Sequence, residues 1–276
     1  MVELTRAVRF CINPDEARAG GWERADNTFA AYPSMRGLGR YYELDVICRG
    51  EIDSATGYFL NIKQIDQAVR AGAVRVIERA CSERAGIFPG VLLPEIIADL
   101  DQRLGTEAGG KARVARVRWR LTPYYSVEMS IDATEIVLLR QQFEFAASHR
   151  LHSAGLSDAD NRAMFGKCNN PSGHGHNYRI EPCVELCLSG ELPALSLGDL
   201  ERLVNLTLIE RYDHKHLNVD TPEFACAGFN PSVENIAREC FHRLSPAIAA
   251  HAAAGGARLR HVTVWETDKT SCTYPA

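Results

Sequence analysis

The pattern of apolar and polar positions predicts four strands and two helices in the second half of the chain. Residues 135–151 (EIVLLRQQFEFAASHRL) are rich in β-branched and aromatic residues and predict one long strand. Residues 178–190 predict another strand, and LRHVTVWETD and TSCTY predict a final pair. Between them, residues 199–212 have an apolar spacing close to that of a helix. Residues 231–254 predict a longer helix with Ser232 as its N-cap.

The first half of the chain follows the same order of elements. Strands are predicted at residues 4–13, 40–52 and 114–129, and helices near residues 61–80 and 94–105. The second half reads as two strands, two helices and two strands, and the first half follows this order, with residues 114–129 in the place of the final pair of strands.

Four short matches between the halves keep their order along the chain. GRYY matches GHNY, VRVIERA matches LTLIERY, PEIIADLDQRL matches VENIARECFHRL, and ARVRWRLTP matches RHVTVWETD. We interpret the chain as two copies of one unit, with residues 1–130 as the first domain and residues 131–276 as the second. Two helices cover only one face of a four-stranded antiparallel sheet, so the other face needs a different cover. Closing such sheets into a barrel would remove their edges, and an oligomer is expected.

Composition excludes several classes of protein. The chain has 276 residues, 46% of them hydrophobic, which is enough for a sizeable core. A net charge of −4 gives no indication of a nucleic acid or an anionic membrane as partner. No run reaches the ~18 apolar residues of a membrane span, and no signal peptide is evident at the start. The nine cysteines are scattered without a C-x-x-C pair, which favours reduced thiols and a cytoplasmic location.

The stretch FGKCNNPSGHGHNY, residues 165–178, carries the clearest chemical signal. His174 and His176 are two residues apart, so in a strand their side chains share one face. His149 lies near the end of the preceding strand, which in a hairpin is close to the start of the next. Three histidines with one open position are typical of catalytic zinc, so we predict a zinc site here. The alternative is a chance pair of histidines on a polar surface.

Cys168 lies in the loop between these two strands. A buried filler is the usual role of cysteine, but this loop is polar, and Lys167 and a metal would favour the thiolate. Such a thiolate is a fourth metal ligand, a nucleophile or a base, and the residues alone leave all three open.

Carboxylates and one more histidine are candidates for acid–base or binding roles. Asp213 and His214 are either polar residues at a helix end or a carboxylate that orients a proton-handling histidine. Glu266 lies in an apolar strand, where a carboxylate needs partners or a ligand, and it suits the N–H edge of a guanidine-like ring. Glu234 is a further candidate, and the alternative is that it only stabilises the first turn of a helix as an acidic residue.

Together these motifs resemble the 6-pyruvoyltetrahydropterin synthase family, which includes the 6-carboxytetrahydropterin synthases. The resemblance covers about residues 135–276 and is carried by FAASHRL, N-x-x-x-FGKCNNPSGHGHNY, YDHKHLN, PSVENIA and VWETD. It implies an α+β tunnelling fold, a ββααββ unit with a four-stranded antiparallel sheet and two helices on one face. The stretch SGELPALSLGDL departs from the family pattern where the second strand leads into a helix.

The resemblance also implies roles for individual residues. The three histidines match the zinc ligands, and Cys168 matches the catalytic base, with Asp213 and His214 completing a proton relay. Glu266 matches the residue that anchors the pterin ring, and Glu234 and Thr267 are further candidates for substrate binding.

The implied substrate is 7,8-dihydroneopterin triphosphate, from which the family eliminates triphosphate to give 6-pyruvoyltetrahydropterin. The five residues between Cys168 and His174 resemble the pyruvoyl-forming branch. Three alternatives stay open: the 6-carboxy product, a pterin-binding protein without turnover, and a structural zinc module. Since family members are usually hexamers of two trimeric rings, a trimer of tandem chains is expected.

The first copy keeps the family's non-catalytic pattern in RGEIDSATGYFLNIKQI, residues 49–65, but not its reactive groups. The residues aligned with the site of the second copy are of other types, namely Pro14, Tyr32, Leu38, Arg40, Cys81, Ser82 and Leu121. We therefore predict a catalytically inactive first domain that completes the barrel or a wall of the site.

Overall fold

The computed structural model describes residues 1–14, 29–107, 112–190, 192–225, 229–252 and 256–276. This part of the chain divides into two compact units. The first consists of Met1–Leu139 with Cys187–Pro193, and the second of Arg140–Leu186 with Ala194–Ala276. Both are α+β units in which most strand pairs are antiparallel. No described helix is long and apolar enough to cross a membrane.

The described part of the first unit has strands in the order β1-β2-β3-β4-β5 and three α-helices. The strands are β1 (Val2–Ile12), β2 (Arg40–Gly50), β3 (Ala112–Thr122), β4 (Tyr125–Ser130) and β5 (Ala133–Gln141). The helices are α1 (Ile62–Ala71), α2 (Ala73–Glu83) and α3 (Leu93–Glu107).

A glycine divides the helix predicted near residues 61–80. Asn61 begins α1 with a capping box, in which its side chain accepts from Lys63 N–H and Gln64 accepts from Asn61 N–H. Gly72 ends α1 and precedes α2, and a Cβ at this position would collide with the Asp99 carboxylate. A larger residue at the break would therefore displace the Asp99 carboxylate of α3.

The face of the first sheet opposite to the helices is charged and cross-linked by ion pairs. Arg9 lies 2.6 Å from Glu43, Arg120 lies 2.6 Å from Asp45, and both pairs join neighbouring strands. Alternation places these residues on the face opposite to the buried Phe10, Leu44 and Val46. The sequence-based expectation that this face needs cover overlooked such pairing, which satisfies the carboxylates within the sheet.

In its described residues the second unit orders its strands β10-β9-β7-β6-β8, and only the β6–β8 pair is parallel. The strands are β6 (Phe143–His149), β7 (His174–Cys187), β8 (Lys215–His216), β9 (Ala257–Thr267) and β10 (Thr270–Tyr274). The helices are α4 (Asp158–Phe165), α5 (Leu197–Val204), α6 (Glu210–Tyr212), α7 (Leu217–Asp220), α8 (Pro222–Ala225) and α9 (Val233–His251).

Three boundaries differ from the sequence-based prediction. The strand predicted over residues 135–151 is interrupted between Gln141 and Phe143, where β5 ends and β6 begins. The helix predicted over residues 199–212 contains a π-helical segment, Asn205–Ile209, between α5 and α6. Finally, β7 begins at His174, earlier than predicted, so both histidines of the HGH motif lie within the strand.

A buried carboxylate anchors the end of α6. Glu223 accepts hydrogen bonds from Arg211 and Tyr212, and Arg243 lies 3.2 Å from the same carboxylate. Burial opposes ionisation of Glu223, but the bonds from Arg211, its own backbone and Tyr212, with the charge of Arg243, lower its pKa to about 2. The network fixes Tyr212, which immediately precedes Asp213.

Replacement of this carboxylate should destabilise the fold in a pH-dependent way. Because the folded pKa of Glu223 lies below its ordinary value of 4.5, its contribution is complete above pH 4.5 and is lost as pH falls towards 2. Glu223→Gln should lower the free energy of unfolding by about 3 kcal/mol at pH 7, and the difference from wild type should shrink below pH 4.5. Urea titrations at several pH values measure this. Glu210→Gln, at an exposed position of α6, is the control and should show no comparable loss. A pH-independent difference for Glu223→Gln would contradict the assignment.

Candidate metal centre

The hairpin of β6 and β7 brings three histidines together. His149 lies directly opposite His174 across the strand pair, and His176 lies opposite Ala147. Strand alternation then puts all three imidazoles on the face that also carries the buried Tyr178. This arrangement is the one expected from the spacing of the three histidines in the sequence.

The three imidazoles can offer nitrogen atoms to one ion. His149 Nε2 and His174 Nε2 are 3.2 Å apart, and one nitrogen from each of the three rings lies within 4.8 Å of the others. His149 is 0% exposed, and the other two side chains are partly buried. Neutral imidazoles converging on one point are typical of a transition-metal site.

The surroundings keep His149 neutral and oriented. Its Nδ1 lies 2.7 Å from the carbonyl oxygen of Pro231 and 3.3 Å from the Tyr178 hydroxyl. An Nδ1–H donated to Pro231 leaves Nε2 free to act as a ligand, the usual arrangement of a metal-binding histidine. Burial lowers the pKa of His149 to about 4, so the ring is neutral at physiological pH.

The arrangement of His176 also fits a metal ion. Its Nε2 is buried and has no hydrogen-bond partner among the described residues. Burial lowers its pKa, although the nearby charge of Glu266 opposes the effect. A buried imidazole nitrogen without a partner is costly, and a bound cation would satisfy it.

Glu266 projects from β9 beside the histidines. Its Oε1 lies 3.5 Å from His149 Nε2 and 3.8 Å from His176 Nε2, and its side chain is 18% exposed. A carboxylate held there can accept hydrogen bonds from a ligand that approaches the histidine cluster.

Cys168 lies in the 3₁₀ turn Gly166–Asn169, and its carbonyl oxygen accepts a hydrogen bond from Leu151 N–H at 2.8 Å. Burial raises the pKa of its thiol, and the negative charge of Glu266 raises it further. Among the protein groups, burial and Glu266 therefore favour the neutral thiol, and the expectation that Lys167 and a metal favour the thiolate stays a prediction.

Asp213 and His214 lie elsewhere on the second unit. Ala146 N–H donates to Asp213 Oδ1 at 2.9 Å, His214 N–H donates to Ala146 O at 2.6 Å, and His214 Nδ1 lies 2.8 Å from Asp213 Oδ2. His214 has a φ of 57°, and its side chain is 83% exposed. In the part of the chain described, neither residue bonds to the three histidines or to Cys168.

A groove of about 470 Å³ lies beside this aspartate–histidine pair. His214 and His216 line it together with the strand positions Ala146, Ser148 and Asn177. The lining also includes the metal-site residue His176 and its strand partner Ala147, so the groove extends from the aspartate–histidine pair to the edge of the histidine cluster.

The two remaining candidates lie at the surface. Glu234 is exposed in the first turn of α9, which begins at the N-cap Ser232. Thr267 is exposed at the end of β9, and its hydroxyl accepts from Lys269 N–H in the turn to β10. Substrate contacts of these two residues stay predictions.

Sequence analysis missed two residues that orient the cluster. Tyr178 follows His176 by two positions, so strand alternation already placed it beside the histidines. Pro231 is far away in sequence and contributes only a carbonyl oxygen, a contact for which the sequence offers no signal.

Comparisons with known proteins find the same half of the chain. A sequence profile of the family described as 6-pyruvoyl tetrahydropterin synthase matches residues 138–276. The human 6-pyruvoyl tetrahydrobiopterin synthase is 37% identical over 139 residues, which cover 49% of this chain and 88% of the relative. A putative 6-pyruvoyl tetrahydrobiopterin synthase of Caenorhabditis elegans is 38% identical over 144 residues, covering 50% and 94%. The solved structure of the Caenorhabditis elegans 6-pyruvoyl tetrahydropterin synthase is 34% identical, covers 50% of this chain and 94% of that chain, and has a TM-score of 0.45.

A side chain at Gly173, the residue before β7, should disturb the metal centre. Gly173 has a φ of +72°, and an added Cβ would lie 2.7 Å from His216 Nε2 and 3.0 Å from the His149 carbonyl oxygen. Gly173→Ala should therefore weaken divalent-metal binding about tenfold or more by displacing His149, as measured by competition with a chromogenic chelator.

The matched control is Gly166→Ala. Gly166 also has a positive φ, +53°, but nothing lies within 4 Å of an added Cβ. This variant should lose about 1–2 kcal/mol of stability through backbone strain and keep its metal affinity. Equal metal affinities of the two variants would show that the contact with His149 is unimportant.

Proposed function

Since the family profile covers residues 138–276, this chain belongs to the 6-pyruvoyl tetrahydropterin synthase family, a family of lyases, and we propose that it is a zinc-dependent lyase acting on 7,8-dihydroneopterin triphosphate. The proposed products are 6-pyruvoyltetrahydropterin and triphosphate. The observation that carries the proposal is the cluster of His149, His174 and His176 with Glu266 at its edge.

The donor set favours zinc among the metals that a protein offers. Three neutral imidazoles with room for a further ligand are typical of catalytic zinc, whereas structural zinc has four protein ligands. Zinc bound there would act as a Lewis acid towards the side-chain oxygens of the substrate and acidify the adjacent C–H bonds.

The residues around the histidines have complementary roles in this proposal. The Glu266 carboxylate accepts N–H groups from the guanidine-like edge of the pterin ring and so orients the side chain of the substrate towards the histidines. Cys168 then takes the proton from the acidified carbon, as the general base of the reaction. Burial and the charge of Glu266 raise the pKa of this thiol, and a positive charge beside it would act in the opposite sense.

The position of Asp213 and His214 indicates that they serve a second copy of the site. Among the described residues the pair makes no bond to the three histidines or to Cys168, and the His214 side chain is 83% exposed. We therefore propose that assembly brings His214 of one copy to Cys168 of another, where it returns a proton with Asp213 as its orienting carboxylate.

The first unit is proposed to be structural, within a trimer of tandem chains. Among its described residues, no three histidine, cysteine, aspartate or glutamate side chains converge as the three histidines do. In the described part of the chain, β1 pairs only with β2, and β10 only with β9, so both leave an edge for assembly.

Incubation of the zinc-loaded protein with 7,8-dihydroneopterin triphosphate tests the activity directly. Mass spectrometry should detect triphosphate and 6-pyruvoyltetrahydropterin, and Cys168→Ala should reduce turnover by at least about 100-fold because the general base is lost. A 6-carboxy product would move the chain to the sister branch. Retention of pterin without turnover would identify a binding protein.

A mixing control separates the two arrangements of the acid–base groups. Cys168→Ala and His214→Ala chains are each expected to be inactive, and they are then co-expressed. If His214 serves the site of another copy, some sites in the mixed assembly contain both groups, and activity reappears. Activity that stays absent, with mixed assemblies verified by mass spectrometry, would place the pair in its own copy.

Zinc content tests the inactive first unit. We expect about one zinc per chain by atomic absorption, because one unit contains three converging histidines. His176→Ala is expected to lower the content to near zero, whereas Arg40→Ala, at the aligned position of the first unit, should leave it unchanged. Two zinc ions per chain would contradict a structural first unit.

A further inference from the structure

Asparagine side chains hold the backbone that follows the ligand His149. Arg150 N–H donates to Asn218 Oδ1 at 2.7 Å, and Asn218 Nδ2 donates to Arg150 O at 2.9 Å. His152 N–H donates to Asn230 Oδ1 at 2.8 Å. The segment has left β6, so these amides replace the partners that a strand would supply.

Asn169 extends this arrangement to the backbone of the turn that carries its neighbour Cys168. Leu151 N–H donates to the carbonyl oxygen of Cys168 at 2.8 Å, and Asn169 Nδ2 donates to the carbonyl oxygen of Leu151 at 2.7 Å. A third bond runs from Arg150 Nε to the carbonyl oxygen of Asn169 at 3.2 Å. Asn169 is 7% exposed, so water offers its amide little competition.

These bonds determine where Cys168 lies relative to the metal centre. Leu151 is two residues after His149, so these three bonds, which we call the Asn169 clamp, tie the 3₁₀ turn of Cys168 to the strand that carries the ligand His149. The turn is short and begins at Gly166, which has a positive φ of +53°, so its position depends on bonds to neighbouring segments such as these.

We propose that Asn169 is a positioning residue for Cys168. It holds the thiol at the distance from the histidine cluster that proton transfer needs, through its bond to the Leu151 carbonyl oxygen. The test by turnover rests on the proposed function. The test by thiol alkylation rests on the structure alone.

Three variants of the zinc-loaded full chain test the proposal. Asn169→Ala removes the amide, and Asn169→Asp keeps its shape but removes the Nδ2 donor. Both should lower kcat about 10- to 100-fold, because a misplaced base loses reaction geometry, with KM within about twofold and zinc content unchanged. Asn218→Ala is the matched control, since it also removes one side-chain amide, which makes two hydrogen bonds to the backbone of Arg150. It should lower the melting temperature comparably and keep kcat within about threefold.

Alkylation of Cys168 by iodoacetamide gives a second readout that needs no substrate. Mass spectrometry of the Cys168 peptide should show several-fold faster alkylation in both Asn169 variants, because the turn opens, and a wild-type rate in Asn218→Ala. Thus the thiol becomes more accessible while turnover falls.

Two results would overturn the proposal. One is wild-type kcat and alkylation in Asn169→Asp, which would show that the hydrogen bond is unimportant. The other is an equal loss of kcat in Asn218→Ala, which would reduce Asn169 to a general structural role. If neither Asn169 variant folds, Arg150→Lys decides by the same two readouts; it removes the Nε bond to the Asn169 carbonyl oxygen and the contact of Nη2 with His152 Nδ1. If wild type has no turnover, the proposed function fails, and alkylation still tests the clamp.

Discussion

The antiparallel register of β6 and β7 is the constraint on which the candidate site depends. With His149 opposite His174, the side chain of His176 necessarily falls on the same face, one pleat away. A shift of one residue would turn the two histidines of β7 to the opposite face of the sheet. The packing of Tyr178 on Phe145, whose rings stack at 4.9 Å, opposes such a shift because it would turn the buried Tyr178 away from Phe145 and out of the core.

Much of the fold and the histidine cluster follows from short-range sequence patterns. Period-two alternation places His174 and His176 together, and strand order places His149 near them. The π-helical segment before Tyr212 leaves no such trace, since its apolar spacing still reads as an ordinary helix. The break at Gly72 is equally silent in sequence, because it depends on the approach of Asp99 from a distant helix.

The position of Asp213 and His214 was beyond sequence reasoning for a related reason. It is determined by a parallel contact of two residues, in which Ala147 pairs with Lys215 and Ser148 with His216. Pairing between segments so far apart in sequence has no local signature. The motif itself was visible, but the face of the sheet on which it lies depends on tertiary structure.

Electrostatics links the two halves of the proposed chemistry. Burial lowers the pKa of His149 and His176 and raises the pKa of the Cys168 thiol, because it favours the neutral form of each group. For His149 the neutral form is the one that binds a metal, so a dry site helps. For Cys168 the neutral form is the unreactive one, and Glu266 strengthens this effect. The proposed pterin carboxylate, Glu266, therefore raises the pKa of the proposed base. The same burial that favours neutral ligand histidines thus opposes formation of the thiolate, and a cation bound at the histidines would counteract both Glu266 and burial.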